Sequence, residues 1–428
     1  MNKKLGMKAY IAITVMALLY SVTYSIPYIK SIFYDGMLEF TGVSNAKLGI
    51  LMTIYGLGEV ITPGIGGIIA EKYDYKKIIA FFSMVTGTAC MLMAVMPSFE
   101  MTLVVWGILV FSTLFMIWGT WFKAIRLLAP DNMQGRMNGL FYGIGGLGYV
   151  LVNTVSLYAY NLFAEAGVVA GMKAVFITFG LLSYVLGIAT FFMLKSAGTY
   201  DDIEVDEDVK TGSIFSELKV VAKQRGVWYF GGALFCMYST NIAIQYFTPY
   251  FTNVLGTAVV FSGFLAIIRS YGMRAIGAPL GGVLADRIGS IAKVIIATTL
   301  GSLILILMVI MMPLQFKTVA ILTVIMLLVS LFNNLGCGIQ YAIVSETGIK
   351  KSHTAAAVGL GSMIGFSPDV FQHVLFGSFL DNYGNAGYTY IFIYGAVTAA
   401  LGVFLMWHMV GYMKKKKMEE EFTMDKVV

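Results

Sequence analysis

Eight side chains able to carry charge lie inside long apolar stretches of this 428-residue sequence: Lys30, Glu59, Lys123, Arg126, Arg269, Arg274, Asp369 and His373. A charge held in hydrocarbon costs about 2.5–3.5 kcal/mol on insertion scales, so each one is read as a functional position whose partner must be found. Five are Lys or Arg and two are acids. Glu346, at the end of another apolar run, is matched to Arg126 as a gate pair near one helix end. That leaves four cations against two acids, and at least two positive charges wait for a partner that the chain does not supply. Unpaired buried charge is costly, so the count predicts an anionic ligand.

Spacing refines the roles. Asp369 follows Pro368, which removes a backbone donor and kinks a helix, and an acid at a broken helix suits a proton or counter-ion site. His373 follows one turn later on the same face and reads either as a simply hydrogen-bonded histidine or as a proton relay. Glu59 is the other candidate for proton exchange, its alternative being a structural ion pair. Arg269 and Arg274 are separated by roughly 140° around a helix, so one faces a cavity and the other pairs with a neighbour, with Arg274 the deeper and preferred. Lys123 and Arg126 share one face. Lys30, near the end of its run, reads either as a snorkelling cation or as a substrate contact. Tyr28, Tyr246, Tyr341, Gln245 and Gln340 offer hydroxyl and amide partners to a polar solute, and Trp118 and Trp121 offer rings to stack on a sugar-like one.

The elements that position these groups are helices crossing a membrane. Twelve apolar stretches approach the about 20 residues that a bilayer requires, at 9–34, 46–70, 77–97, 101–128, 137–163, 170–195, 227–254, 260–285, 292–313, 317–344, 354–380 and 386–412. The fold class expected is an all-α membrane protein of two pseudo-symmetric six-helix bundles. The bundles run from 1 to 195 and from 227 to 413, with a cytosolic linker at 196–226 and a charged tail at 414–428. The linker opens on an acidic run and closes on Ser216–Lys223, which suits a short amphipathic helix.

Internal repetition supports two halves. Gly66-Gly67-Ile68-Ile69-Ala70-Glu71-Lys72 returns as Gly281-Gly282-Val283-Leu284-Ala285-Asp286-Arg287, and Tyr24-Ser25-Ile26-Pro27-Tyr28 as Tyr246-Phe247-Thr248-Pro249-Tyr250. In transporters built from such repeats the substrate sits near the midplane.

Composition agrees. Hydrophobic residues make up 58% of the chain and charged residues 12%, about half the usual share for a soluble domain. Of 29 Lys and Arg, three fall in the expected outer loops and five in apolar runs, leaving twenty-one for the cytosolic side. This is the positive-inside pattern with both termini cytosolic, and it accounts for the net charge of +6 without nucleic acid. Cys90, Cys236 and Cys337 have no metal spacing, and there is no nucleotide-binding Gly-Lys-Ser or Gly-Lys-Thr stretch. No metal, cofactor or catalytic constellation is expected, so the chain does not read as an enzyme.

The repeated loop resembles the signature of the major facilitator superfamily: a Gly, three residues, an acid, a base, a turn and further bases. It stands as Gly67…Glu71-Lys72-Tyr73-Asp74-Tyr75-Lys76-Lys77 and, closer to the pattern, as Gly282…Asp286-Arg287-Ile288-Gly289…Lys293. Trp121-Phe122-Lys123-Ala124-Ile125-Arg126, Gln134-Gly135-Arg136 and Phe366-Ser367-Pro368-Asp369-Val370-Phe371 resemble its YihN-like branch. Glu71, Lys72, Asp286 and Arg287 of this loop motif read as a latch on the cytosolic side, their alternative being interfacial anchoring, while the matched helix-end positions of Arg126 and Glu346 read as a gate. The resemblance makes Lys123 a cavity cation, and it puts the Gly135, Gly139, Gly143 ladder at the interface between halves.

The expectation is a secondary active transporter working by alternating access. It moves a small organic anion (a sugar acid, sulfonate, phosphate ester or carboxylate) across the bacterial inner membrane as a monomer, coupled to a proton or to an exchanged anion. The alternatives are a transporter-like ligand sensor and an efflux pump for lipophilic compounds.

Overall fold

Backbone that cannot hydrogen-bond to lipid must satisfy itself within one segment, and the helix does so. The computed structural model describes residues 6–62, 73–129, 133–198, 214–349 and 353–424, and every regular element among them is helical. In chain order these are α1 (Met7–Ser25), α2 (Tyr34–Thr41), α3 (Asn45–Ile61), α4 (Tyr75–Val95), α5 (Phe99–Leu128), α6 (Gln134–Ala164) and α7 (Val168–Ala197). They are followed by α8 (Ile214–Ala222), α9 (Arg225–Gln245), α10 (Phe247–Asn253), α11 (Val259–Ile288), α12 (Ile291–Met311) and α13 (Val319–Cys337). The chain closes with α14 (Thr354–Phe366), α15 (Pro368–Tyr383) and α16 (Gly387–Met424).

Helix starts follow local chemistry. Ser44, Asp74, Ser98, Ser290 and Thr318 each accept the backbone N–H two or three residues on, which satisfies one of the orphan donors of a first turn. Nine stretches among the described residues are long and apolar enough to cross a membrane. Asn45–Ile61 and Arg225–Gln245, expected within the second and seventh spans, are not among them, and the stretch Ala356–Lys415 contains two expected spans.

Three expected spans are broken rather than continuous, each beside a proline that removes a donor and crowds the preceding turn. The first stops at Ser25, turns at Pro27, passes through a 3-10 turn at Ile29–Ser31 and resumes as α2, beyond its expected end at 34. The seventh divides between α9 and α10, which carries Pro249 in its first turn. The eleventh divides at Ser367, and Pro368 takes the first position of α15, where its missing N–H costs nothing. The closing helix α16 continues to Met424, past its expected end at 412, so the tail begins as helix.

The chain forms two compact units: Met1–Val209 with Thr248–Gly272 and Asp369–Asp381, and Lys210–Phe247 with Met273–Pro368 and Asn382–Val428. In the first unit α1 is tied to α6 by two polar contacts, Ser21 Oγ donating to the Gly145 carbonyl at 2.8 Å and Asn153 Nδ2 to Ser25 Oγ at 2.8 Å. The glycines that allow this approach are Gly145 and Gly148, whose faces meet Tyr20 and Ser21. A Cβ on Gly139 or Gly143 would meet nothing among the described residues. The second unit is centred on Phe230, Leu234, Met237, Ile295, Ile343, Met406 and Met409. Both units expose large apolar side chains, such as Phe81, Leu147 and Val185 in the first and Ile304, Met311 and Trp407 in the second, which suits a lipid surroundings rather than water.

Candidate functional site

The first unit gathers the buried charges at its broken helices. The turn at Pro27 frees Tyr28 and Lys30 from α1, and the start of α15 presents Asp369 in its first turn. Helix α3 runs antiparallel against α15 at backbone distance because glycine stands at the contacts. A Cβ on Gly49 would lie 2.6 Å from the His373 carbonyl, and one on Gly56 would lie 2.7 Å from Asp369 Cβ. Thr53 Oγ1 donates to the Val370 carbonyl at 2.7 Å between them. At the far end of this seam the Asp381 carboxylate accepts from the backbone N–H groups of Asn45 and Ala46, both at 2.9 Å, and so caps α3 from another helix.

That packing brings five predicted residues together. The Tyr28 hydroxyl donates to Glu59 Oε1 at 2.5 Å and stands 3.4 Å from Asp369 Oδ2. Glu59 and Asp369 thus have the Tyr28 hydroxyl as a common neighbour. His373 Nε2 is 2.9 Å from Asp369 Oδ1. Lys30 is 4% exposed, faces Asp369 and His373 electrostatically, and its Nζ has no hydrogen-bond partner among the described residues.

Arg269, 1% exposed, lies in a π-helical segment of α11 (Ile268–Gly272); such widened turns are frequent at functional sites. Its guanidinium donates to Thr248 Oγ1 at 2.8 Å, Ser270 Oγ at 3.1 Å and the carbonyl of Ser31 at 3.4 Å, the residue next to Lys30. Arg274 lies beyond the π segment, exposed on the second unit and near Cys337. Arg269 is therefore the deeply buried member of the pair.

An aromatic group surrounds the start of this region. The Tyr20 ring is 4.8 Å from Tyr24, 5.1 Å from Phe141, 6.0 Å from Tyr142 and 5.8 Å from Tyr149. Tyr149 stacks on Tyr271 at 4.8 Å. Trp121 is 1% exposed behind Tyr20 and Phe141, so it braces this group, whereas Trp118 is only partly buried. A second π-helical segment, Val110–Ile117 in α5, lies alongside; there Thr113 accepts from the Tyr24 hydroxyl at its carbonyl and contacts the Tyr55 hydroxyl through its own.

Other predicted residues lie elsewhere. Lys123 reaches the Tyr73 carbonyl at 3.4 Å, at the connection leading into α4, and Arg126 is exposed one turn further on. The Glu346 carboxylate caps α12, accepting from Ile291 N at 2.5 Å, Ala292 N at 3.0 Å and Ser290 Oγ at 3.2 Å. Asp286 and Arg287 are exposed at the end of α11, and Glu71 and Lys72 lie outside the described residues. In the second unit Tyr246 is buried, Tyr341 is exposed beside Phe230, and Gln340 is half-buried.

Gln245 Nε2 there donates to Asn241 Oδ1 at 3.4 Å, and Asn241 Nδ2 to Asn333 Oδ1 at 2.9 Å. Asn241 and Asn333 were missed by sequence reasoning. The adjacent pair Asn333-Asn334 inside an apolar run was the signal, since intramembrane amides need partners as charges do.

Comparison with known proteins agrees with this architecture. The sequence model of the Major Facilitator Superfamily matches residues 9–371. The inner membrane protein YqcE of Escherichia coli (strain K12) is 25% identical over 411 residues, covering 95% of this chain and 95% of its own. The inner membrane protein YihN of the same organism is 25% identical over 422 residues, covering 96% and 98%. Among solved structures, a bacterial homologue of the human lysosomal transporter Spinster, inward-facing and unoccupied, superposes with a TM-score of 0.73 at 13% identity, covering 95% of this chain and 98% of that one. The nucleoside transporter NupG superposes with a TM-score of 0.68 at 16% identity, covering 96% and 99%.

Proposed function

Because this chain belongs to the Major Facilitator Superfamily, and is thus a multi-pass membrane transporter, we propose that its solute is a small organic anion carried across the inner membrane by alternating access. The observation that carries the reading is Lys30: an ammonium 4% exposed whose Nζ has no hydrogen-bond partner among the described residues. A buried charge left without a partner is strongly destabilising. A transporter relieves that cost each time an anionic group arrives, and the arrival is then favoured by the same amount. Arg269 adds a second buried positive charge at the neighbouring residue, Ser31. The Tyr28 hydroxyl serves the uncharged part of the solute, and Trp118 with Tyr20 and Tyr142 offers ring faces.

The wider proposal is twelve crossings in two halves, 1–195 and 227–413, with both termini in the cytosol and the monomer as the working unit. Asp286 and Arg287, with Glu71 and Lys72, act as the latch on the cytosolic side. The solute class comprises sugar acids, sulfonates, phosphate esters and carboxylates.

The test is uptake into proteoliposomes of gluconate, methanesulfonate, glycerol phosphate and lactate, each against a neutral analogue of similar size. At least one anion is accumulated and raises the thermal midpoint of the purified protein. Lys30→Gln loses about 1.5–3 kcal/mol of that binding, the usual worth of a hydrogen bond to a charged group, or roughly 10- to 150-fold in affinity. Preference for a neutral or cationic solute overturns the anion reading.

A further inference from the structure

Two helices of the second unit lie together where both leave the apolar region: α9 at its first residue, and α16 near Lys415, where the apolar stretch Ala356–Lys415 ends. The Arg225 guanidinium lies over the Tyr412 ring at 5.6 Å. One turn further into α9 the Tyr229 hydroxyl is 2.7 Å from His408 Nδ1, and the Tyr229 ring is 5.9 Å from that of Tyr412. Phe404 stacks on His408 at 6.2 Å, one turn deeper again. Phe404, His408 and Tyr412 share one face at i, i+4 spacing. The strip along the two helices therefore runs from an apolar ring, through a hydroxyl and an imidazole, to a cation. A Cβ on Gly411, beside this strip, would meet no atom within 4 Å among the described residues, which leaves room against the α16 backbone.

Charge at this end is one-sided. The stretches Ile214–Arg225 and His408–Lys415 hold five Lys and Arg (Lys219, Lys223, Arg225, Lys414 and Lys415) against one acid, Glu217. All five cations are exposed, and none has an ion-pair partner among the described residues. Helix α8 carries two of them to the strip, because Val221 packs with Val227 and Ala357 and the Trp228 Nε1 donates to the Ala222 carbonyl at 2.8 Å. The acids of the closing helix, Glu419, Glu420 and Glu421, start about 10 Å beyond Tyr412 at the helical rise. Large rings stand next to the cations with their surfaces uncovered: Trp228 is 56% exposed, Phe404 55% and Trp407 66%.

The structure assigns this strip as a binding site for one anionic phospholipid, with its phosphodiester at Arg225, its glycerol esters at His408 and Tyr229, and its chains on Phe404, Trp228 and Trp407. The order of groups along the helices is the order of groups along such a lipid, and basic residues at a membrane surface attract anionic headgroups. The planar guanidinium fork matches a phosphate, and stacking on Tyr412 orients it without using any of its hydrogens. When the Tyr229 hydroxyl donates to His408 Nδ1, the imidazole keeps its hydrogen on Nε2 and can donate it to an ester oxygen. A soluble anion would meet only the outer cations and leave the rings uncovered. A second copy of the chain would set five like charges against five, which disfavours that pairing. The lipid site is independent of which solute is transported.

The experiment uses the full chain purified in dodecyl maltoside and titrated with phosphatidylglycerol, phosphatidylcholine or inorganic phosphate. The thermal midpoint is read, and native mass spectrometry counts the lipids retained. Phosphatidylglycerol raises the midpoint and one molecule per chain is retained, whereas phosphatidylcholine and inorganic phosphate do neither. Arg225→Gln weakens retention about tenfold, as expected for the loss of a hydrogen bond to a charged group. Lys195→Gln, which removes an exposed cation at the end of α7 in the other unit, leaves it unchanged. The double substitution Lys414→Gln and Lys415→Gln serves if Arg225→Gln does not fold.

Equal effects of the two lipids, or equal losses in Arg225→Gln and Lys195→Gln, mean attraction by diffuse surface charge and overturn the site. Displacement of the lipid by inorganic phosphate means a site for soluble anions and overturns the lipid assignment. Either result leaves the proposed transport of an organic anion standing, since that is tested by uptake and by Lys30→Gln.

Discussion

Tyr28 occupies the position where three requirements meet. It must leave the helix, so it follows Pro27; it must donate to a half-buried acid, so it carries a hydroxyl; and it must pack, which its ring does edge-on to Tyr55 at 5.7 Å. Tyr28→Phe keeps the ring and deletes the donor, leaving Glu59 short of a hydrogen bond at a cost of about 1–3 kcal/mol. A lower thermal midpoint in detergent, restored by no change of pH, is the expected reading. The i, i+4 pair Asp369 and His373 was visible in the sequence, because that spacing puts two side chains on one helix face whatever surrounds them. Glu59 and Asp369 were singled out separately, as intramembrane acids, but nothing local says that they share a neighbour. Tyr28, which bridges them, stands 341 residues from Asp369.

At the scale of elements, the α3–α15 seam depends on the absence of side chains at Gly49, Gly56 and Gly377, the last of which packs on the Asn45 backbone. The atoms facing Gly49 are main chain and cannot rotate aside. Gly49→Val should therefore cost about 1–3 kcal/mol through overpacking, measured as a fall in the thermal midpoint and in monodisperse yield. Asp381→Ala removes the cap that α15 provides to α3, a loss of about 0.5–2 kcal/mol, whereas Asp381→Asn keeps an acceptor oxygen and loses less. Gly139→Ala is the contrasting case: no atom lies within 4 Å of its Cβ position, and the change gains about 0.8–1 kcal/mol of helix propensity. An unchanged or raised midpoint is expected there, and a marked fall would mean that this face of α6 is packed.

The whole chain divides at prolines as much as at its linker. The segments Thr248–Gly272 and Asp369–Asp381 belong to the first compact unit although they lie far along the sequence, and each begins beside a helix break. Those breaks are where a helix can present two ends with separate partners. Orientation in the membrane rests on the surplus of Lys and Arg on one side. A reporter that fluoresces only in the cytosol, fused after Val428, should be bright, and a periplasm-dependent phosphatase at the same place should be inactive. The opposite pair of results would reverse the assignment of every loop, including the proposed latch at Asp286 and Arg287.

The sequence alone determined residence in a membrane, the helical class and the short set of intramembrane charges proposed for function. It could do so because those properties follow from composition, from periodicity along one helix and from the cost of a charge in lipid, all of which are local. Only the tertiary structure decided that Arg269 rather than Arg274 is the deeply buried arginine, that Glu346 caps a neighbouring helix, that Lys123 reaches a loop carbonyl, and that Lys30 Nζ has no hydrogen-bond partner among the described residues. Helical periodicity fixes which residues share a face. It does not fix the rotation or the register of one helix against another, and here these are set by glycine contacts between segments more than three hundred residues apart.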